Sequence, residues 1–103
     1  RKSFPITDLY QDEDGKQIIE MALAGYSKDS ITIEVKSNQI TISSSGIKTD
    51  RESNVARRGF QKTFVDYNNE MDLTKAKASF TQGLLKIVIS SKPTYKQTLI
   101  NIE

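Results

Sequence analysis

The chain has 103 residues, a formal net charge of +2, 36% hydrophobic residues, and neither Cys nor His. That length bounds it to one domain, large enough to bury roughly two-thirds of its unfolded surface and fold without covalent staples. The missing Cys and His exclude disulfides, thiolate chemistry and the common zinc sites, and they fit a reducing compartment. The charge is too small to point to nucleic acid or a membrane surface. The longest apolar runs are a few residues, far short of a membrane span, and no secretory leader pattern opens the chain. A cytoplasmic location is the expectation. Arg1 stands where a Met would start a chain, so further residues upstream are expected.

Residues 6–10, ITDLY, alternate and predict a short strand. Asp14-Gly15 then gives a two-residue hairpin signal. QIIEMALAG (17–25) is apolar almost throughout and ends at Gly25. Its length of about nine residues between a hairpin turn and a Gly favours a buried strand over a helix. After the connection YSKDS, ITIEVK (31–36) alternates, with Ile31, Ile33 and Val35 on one face. Ser37-Asn38-Gln39 predicts a turn and ITIS (40–43) a second strand, which together make a hairpin.

From Ser44 to Gly59 the sequence is polar and charged, and only Val55 and Ala56 suit a brief strand. A stretch of this length without pattern is long for a compact domain. FQKTFV (60–65) places Phe60 and Phe64 on one face. Met71 and Leu73 alternate, and a helical turn is expected near 73–77. A tight turn falls at 81–83, and LLKIVIS (84–90) reads as a strand buried on both faces. Pro93 ends regular pairing. The total is about seven or eight short strands with turns every 8 to 12 residues, the pattern of a β-sandwich.

Motifs for chemistry are sparse. Ser45 and Lys48 have the S-x-x-K spacing of some acylating enzymes, without the companion motifs that chemistry needs. Asp12-Glu13-Asp14-Gly15 matches part of a calcium loop, but Tyr10 and then Leu23 or Ala24 fall where acidic ligands are required, so a hairpin turn explains it better. Lys48, Arg51, Arg57, Arg58 and Lys62 form a basic stretch, read as a solvated loop with interface ion pairs. No phosphate-cradling loop and no cluster of carboxylates stands out. The chain closes on TLINIE (98–103), an alternating apolar strand with no later strand to pair with. A groove beside an edge strand, such as the one carrying Ile31, Ile33 and Val35, is a place for it to dock.

Four segments, in order, carry a resemblance to a known family. They are DEDGKQIIEMALAGYSKDSITIEV with its Leu-x-Gly turn, ARRGFQKTF (56–64), ASFTQGLLKI (78–87) with Ala78, Gly83 and Leu85 in place, and INI (100–102). In this combination the chain resembles the small heat shock proteins, the Hsp20 family, over essentially its whole length. It is most like the α-crystallin domain of the bacterial class that includes the inclusion-body-binding type. Two positions depart from the family. Gln82 replaces the usual Asn before Gly83, and Asp66 replaces an apolar residue, so that strand is expected to end early. The family's variable N-terminal arm is not among these residues, since Arg1 lies only a few positions before Phe4-Pro5.

The resemblance implies an all-β, immunoglobulin-like antiparallel sandwich over residues 1–91, with residues 92–103 as a C-terminal extension. It implies that the loop Ser44–Gly59 crosses to a second copy and adds a strand, with Val55 and Ala56 in the exchanged segment and Arg57 and Arg58 beside the dimer contact. It implies that Ile100 and Ile102 of a neighbouring dimer dock in a groove lined by Ile33, Val35, Ala78, Phe80 and Leu85. The implied function is an ATP-independent holdase that binds unfolding client proteins and prevents their aggregation. No catalysis, cofactor or metal is expected, and neither nucleic acid nor membrane is an expected partner. The alternative is a monomeric, cochaperone-type β-sandwich that binds one large protein.

Overall fold

The computed structural model describes residues 4–46, 58–93 and 100–102. The expected exchange segment, with Val55, Ala56 and Arg57, therefore lies outside the described residues, as does Leu99.

Strands β1 (Thr7–Gln11) and β2 (Gln17–Ala22) form the first hairpin, with Tyr10 opposite Ile18. Its turn uses the acidic run locally. One carboxylate oxygen of Asp12 accepts the N–H groups of Asp14 and Lys16, each at 2.9 Å, and Gly15 takes φ +81°. That side chain organises the turn, an Asx-type role that needs no metal. Strands β3 (Thr32–Lys36) and β4 (Gln39–Ser44) form the second hairpin around Ser37-Asn38. Strand β5 (Phe60–Val65) then pairs with β4. The expected helical turn is a 3-10 turn at Leu73–Lys75. Strands β6 (Lys77–Thr81) and β7 (Leu84–Ile89) make the last hairpin, whose turn is only Gln82-Gly83.

These seven strands build two antiparallel sheets, ordered β1-β2-β7-β6 and β3-β4-β5. They pack face to face as the expected sandwich. The side-chain period of two decides which residues meet. Ile19 and Met21 of β2 lie opposite Ile87 and Leu85 of β7, and this row faces Ile40 and Ile42 of β4. Ile19, Met21, Ile40, Ile42 and Ile87 are each no more than 1% exposed. Leu23, Tyr26, Leu73 and Ile89 complete the core.

Strand β7 corrects one expectation. Leu85, Ile87 and Ile89 are buried, but Leu84 is 42% exposed and Lys86 and Val88 are half-buried. The apolar run marks a central strand between β2 and β6, not one covered on both faces. On the outer face of its sheet Ile18 of β2, opposite Val88, is buried, while Leu84 stays exposed.

The β6–β7 turn shows why a glycine is required. Gln82 and Gly83 both have positive φ, +53° and +79°, as a type I′ hairpin turn demands. A Cβ on Gly83 would also lie 2.9 Å from the Cα of Ala24. The carbonyl of Gly83 accepts the Leu23 N–H at 2.7 Å, so this turn is sewn to the end of β2.

A candidate docking groove between two sheet edges

Each open sheet ends in unpaired strands, and the sandwich stacks them in pairs. On one flank the edge strands are β3 and β6. Between them runs a groove of about 250 Å³ lined by Lys28, Ile31, Ile33, Ala78, Ser79, Phe80 and Leu85. Leu85 is 3% exposed and forms the floor, continuous with the core. Ile31, Ile33 and Phe80 are half-buried against that core, so they present carbon to solvent along the walls.

Of the predicted lining, Ile33, Ala78, Phe80 and Leu85 come together here. Val35 does not line this opening. It sits farther along β3, level with Ile40 and then Phe64, and is 36% exposed. Ile31 and Lys28 take the place expected of it. Ile31 was legible as part of the same alternating face; Lys28 was not, since it comes from the 3-10 turn Lys28–Ser30 before the strand.

The groove walls repeat every second residue, Ile31/Ile33 on one side and Ala78/Phe80 on the other. The tail has the same repeat in Ile100/Ile102. Two side chains so spaced lie about 7 Å apart on one face of an extended chain, so their pitch matches the walls. Ile100 and Ile102 are 87% and 99% exposed, so they do not fill the groove of their own chain.

The opposite flank, between β1 and β5, is different. Its recess holds about 130 Å³ and is lined by residues including Leu9, Ile40, Phe64, Asp66 and Met71. Asp66 ends β5 as its polar side chain predicts. Its carboxylate accepts the N–H groups of Met71 at 2.8 Å and Glu70 at 3.3 Å, which folds the following loop back across this flank. The Asp66 N–H donates to the Asn38 carbonyl at 2.8 Å, and the Asn38 side-chain amide donates to the Asp66 carbonyl at 3.2 Å.

At one end of the sandwich, Phe4, Tyr26 and Phe60 form an aromatic cluster with ring centroids 5.8 to 6.5 Å apart. Arg58, expected to pair with acids at a dimer contact, stacks its guanidinium 4.3 Å from the Phe4 ring centroid. The Tyr26 hydroxyl donates to the Arg58 carbonyl. The two legs of the long loop are thus held side by side. Ser44 pairs with Phe60, and the Ser44 hydroxyl accepts the Gly46 N–H at 3.0 Å. A Cβ on Gly59 would lie 3.0 Å from the Ser44 carbonyl oxygen.

No group of three or more His, Cys, Asp or Glu side chains able to hold a metal occurs among the described residues. Tyr10 is a titratable group moved from its ordinary value. Desolvation, then Glu20 and, more weakly, Asp12 and Asp8, push its phenol pKa up, which keeps it neutral. No described helix is long and apolar enough to cross a membrane. What the surface offers is shape and exposed carbon, which serve binding.

Comparison with known proteins agrees. Residues 9–103 match the sequence profile of the Hsp20/alpha crystallin family. The chain is 33% identical over 90 residues to the small heat shock protein HspD of Bradyrhizobium diazoefficiens, covering 82% of this chain and 57% of that protein. It therefore spans a little over half the length of that relative. Among solved structures, a small heat shock protein from Synechococcus phage S-ShM2 superposes with a TM-score of 0.66 at 29% identity, covering 98% of this chain and 99% of that one. A small heat-shock protein from Xylella fastidiosa superposes with a TM-score of 0.73 at 18% identity, covering 100% and 99%, a likeness of fold. The sandwich, its open β3/β6 flank and these matches lead to one conclusion: the chain belongs to the Hsp20/alpha crystallin family, the small heat shock proteins.

Proposed function

We propose that this chain is the chaperone domain and tail of an ATP-independent holdase, which binds apolar segments of unfolding proteins in the cytoplasm before those segments meet each other. The supporting observation is the groove between β3 and β6, whose walls are mostly carbon and which no described part of the chain covers. Family membership supports a chaperone-type role in general terms. Residues 1–91 act as the domain and residues 92–103 as a tether. Ile100 and Ile102 of a neighbouring dimer occupy the groove at rest and leave it for client, a shift of populations with no nucleotide involved. Two isoleucines fully buried contribute roughly 3–6 kcal/mol before ordering costs, which keeps such a contact reversible.

Dimers form through the long loop. Its exchanged segment, Val55 and Ala56, adds to the unpaired edge of β1 in a second copy, since the β3 and β6 edges border the groove. Arg57 and Arg58 lie at the root of that crossing. The base of the loop supports this, because its two described legs lie side by side where Ser44 pairs with Phe60.

Suppression of a model client's aggregation in the absence of ATP, read by light scattering, tests the function. Ile100→Ala with Ile102→Ala is expected to reduce the native mass to that of a dimer, and deletion of residues 46–57 to that of a monomer. No protection of client at a several-fold molar excess of chaperone would overturn the holdase reading.

A further inference from the structure

Lys28 is the one charged side chain among the residues lining the groove. It lies at the Ile31 end, in the 3-10 turn that leads into β3, and it is exposed. Asp29 shares that turn but does not line the groove. At the other end, toward Val35, no lining residue carries a charge. The tail is polar in the same sense. Its isoleucine pair is followed directly by Glu103, and its nearest upstream charge is Lys96.

The pairing of two isoleucines with two-residue walls says nothing about direction, because Ile100 and Ile102 can exchange places with little change in buried carbon. Charge breaks that tie. With Ile102 at the Ile31 end, residue 103 reaches the lysine. With the tail reversed, Glu103 lies toward the Val35 end, where no groove-lining residue carries a charge, and the lysine faces Ile100. We infer that Lys28 sets the direction of the docked tail, so that a second copy's tail lies antiparallel to β3 with Glu103 against the Lys28 ammonium. This rests on the tail docking proposed above and adds its polarity. An orienting residue of this kind also fixes which side of the groove the connecting segment 92–99 leaves from, and so which neighbour it can come from.

The test uses the full chain carrying Ile100→Ala and Ile102→Ala, which frees its groove, and a fluorescent peptide of residues 95–103 as probe. Lys28→Glu is expected to weaken peptide binding about three- to tenfold, and Glu103→Lys in the peptide to do the same against the unaltered groove. Combining the two changes is expected to restore affinity to within about twofold, a coupling that shrinks at about 1 M salt as screening shortens. A photo-crosslinker at peptide position 103 is expected to label residues 28–31. Labelling near 35–36, or equal losses with no recovery in the combined pair, would overturn the inference while leaving tail docking intact. Failure of the unaltered peptide to bind at all would overturn the docking reading and this inference with it.

Discussion

The two flanks of the sandwich start from the same material and end differently. Each joins the edge strands of two sheets, and each shows alternating apolar side chains toward the core. On the β1/β5 flank, Asp66 turns the chain back so that Met71 bridges to Ser91 and Leu73 is buried. On the β3/β6 flank no described connection crosses the recess, which Lys28 of the β2–β3 connection only borders, and its volume is about 250 Å³ against about 130 Å³. The difference teaches that alternation makes an apolar face, while the path of a connecting segment decides whether that face becomes core or groove.

The largest expected effect removes what both flanks share. Ile87→Ala, at a side chain 0% exposed between the sheets, should cost about 3–4 kcal/mol in denaturant unfolding and loosen both flanks together. Asp66→Ala strips the carboxylate from two backbone N–H groups and should cost about 1–3 kcal/mol. Amide exchange should then speed up at 67–71 and stay unchanged at 31–33, which separates one flank from the other. Tyr26→Phe removes the hydroxyl that holds the Arg58 carbonyl and should cost about 1 kcal/mol in unfolding free energy, with the groove unaffected. Gln82→Asn should raise stability by about 0.5 kcal/mol, because Asn tolerates the positive φ at that turn better than Gln. Ala78→Leu should change stability least, by under about 0.5 kcal/mol, since Ala78 is an exposed wall residue. It fills the groove, so peptide binding should fall at least about tenfold; unaltered binding would show that the tail docks elsewhere.

Much of this was legible in the sequence. ITIEVK, ITIS and FQKTFV declared their strands and their inward faces by alternation alone, though the second strand also takes in Gln39 and Ser44. Gly83 declared its turn, because a positive φ and a close backbone approach leave no other residue comfortable there. Strand β7 misled, since its apolar run reports a central position in its sheet and not the cover on its outer face. Asp66 looked like a departure from a pattern. Its purpose depends on backbone donors four and five residues later, which no local reading supplies. The exchange of Val35 for Ile31 in the groove has a similar cause. Either residue faces inward, and which of them borders β6 depends on how one sheet lies over the other, a property of neither strand by itself. Arg58 stacks on Phe4, more than fifty residues away in the chain, a contact that no local reading of its loop supplies.

The groove walls have a consequence for what can control them. They offer mostly carbon, with Ser79 and the single ammonium of Lys28, and the chain contains no His and no Cys. The described groove lining therefore carries neither an imidazole nor a thiol, the groups most often switched by acidity near neutrality or by redox poise. The levers that remain are warmth and abundance. Association built on apolar contact carries a negative heat capacity and slackens on cooling, and any bound segment is lost on dilution by mass action. On the docking proposed above, occupancy of such a surface rises with warmth and with the amount of apolar chain around it.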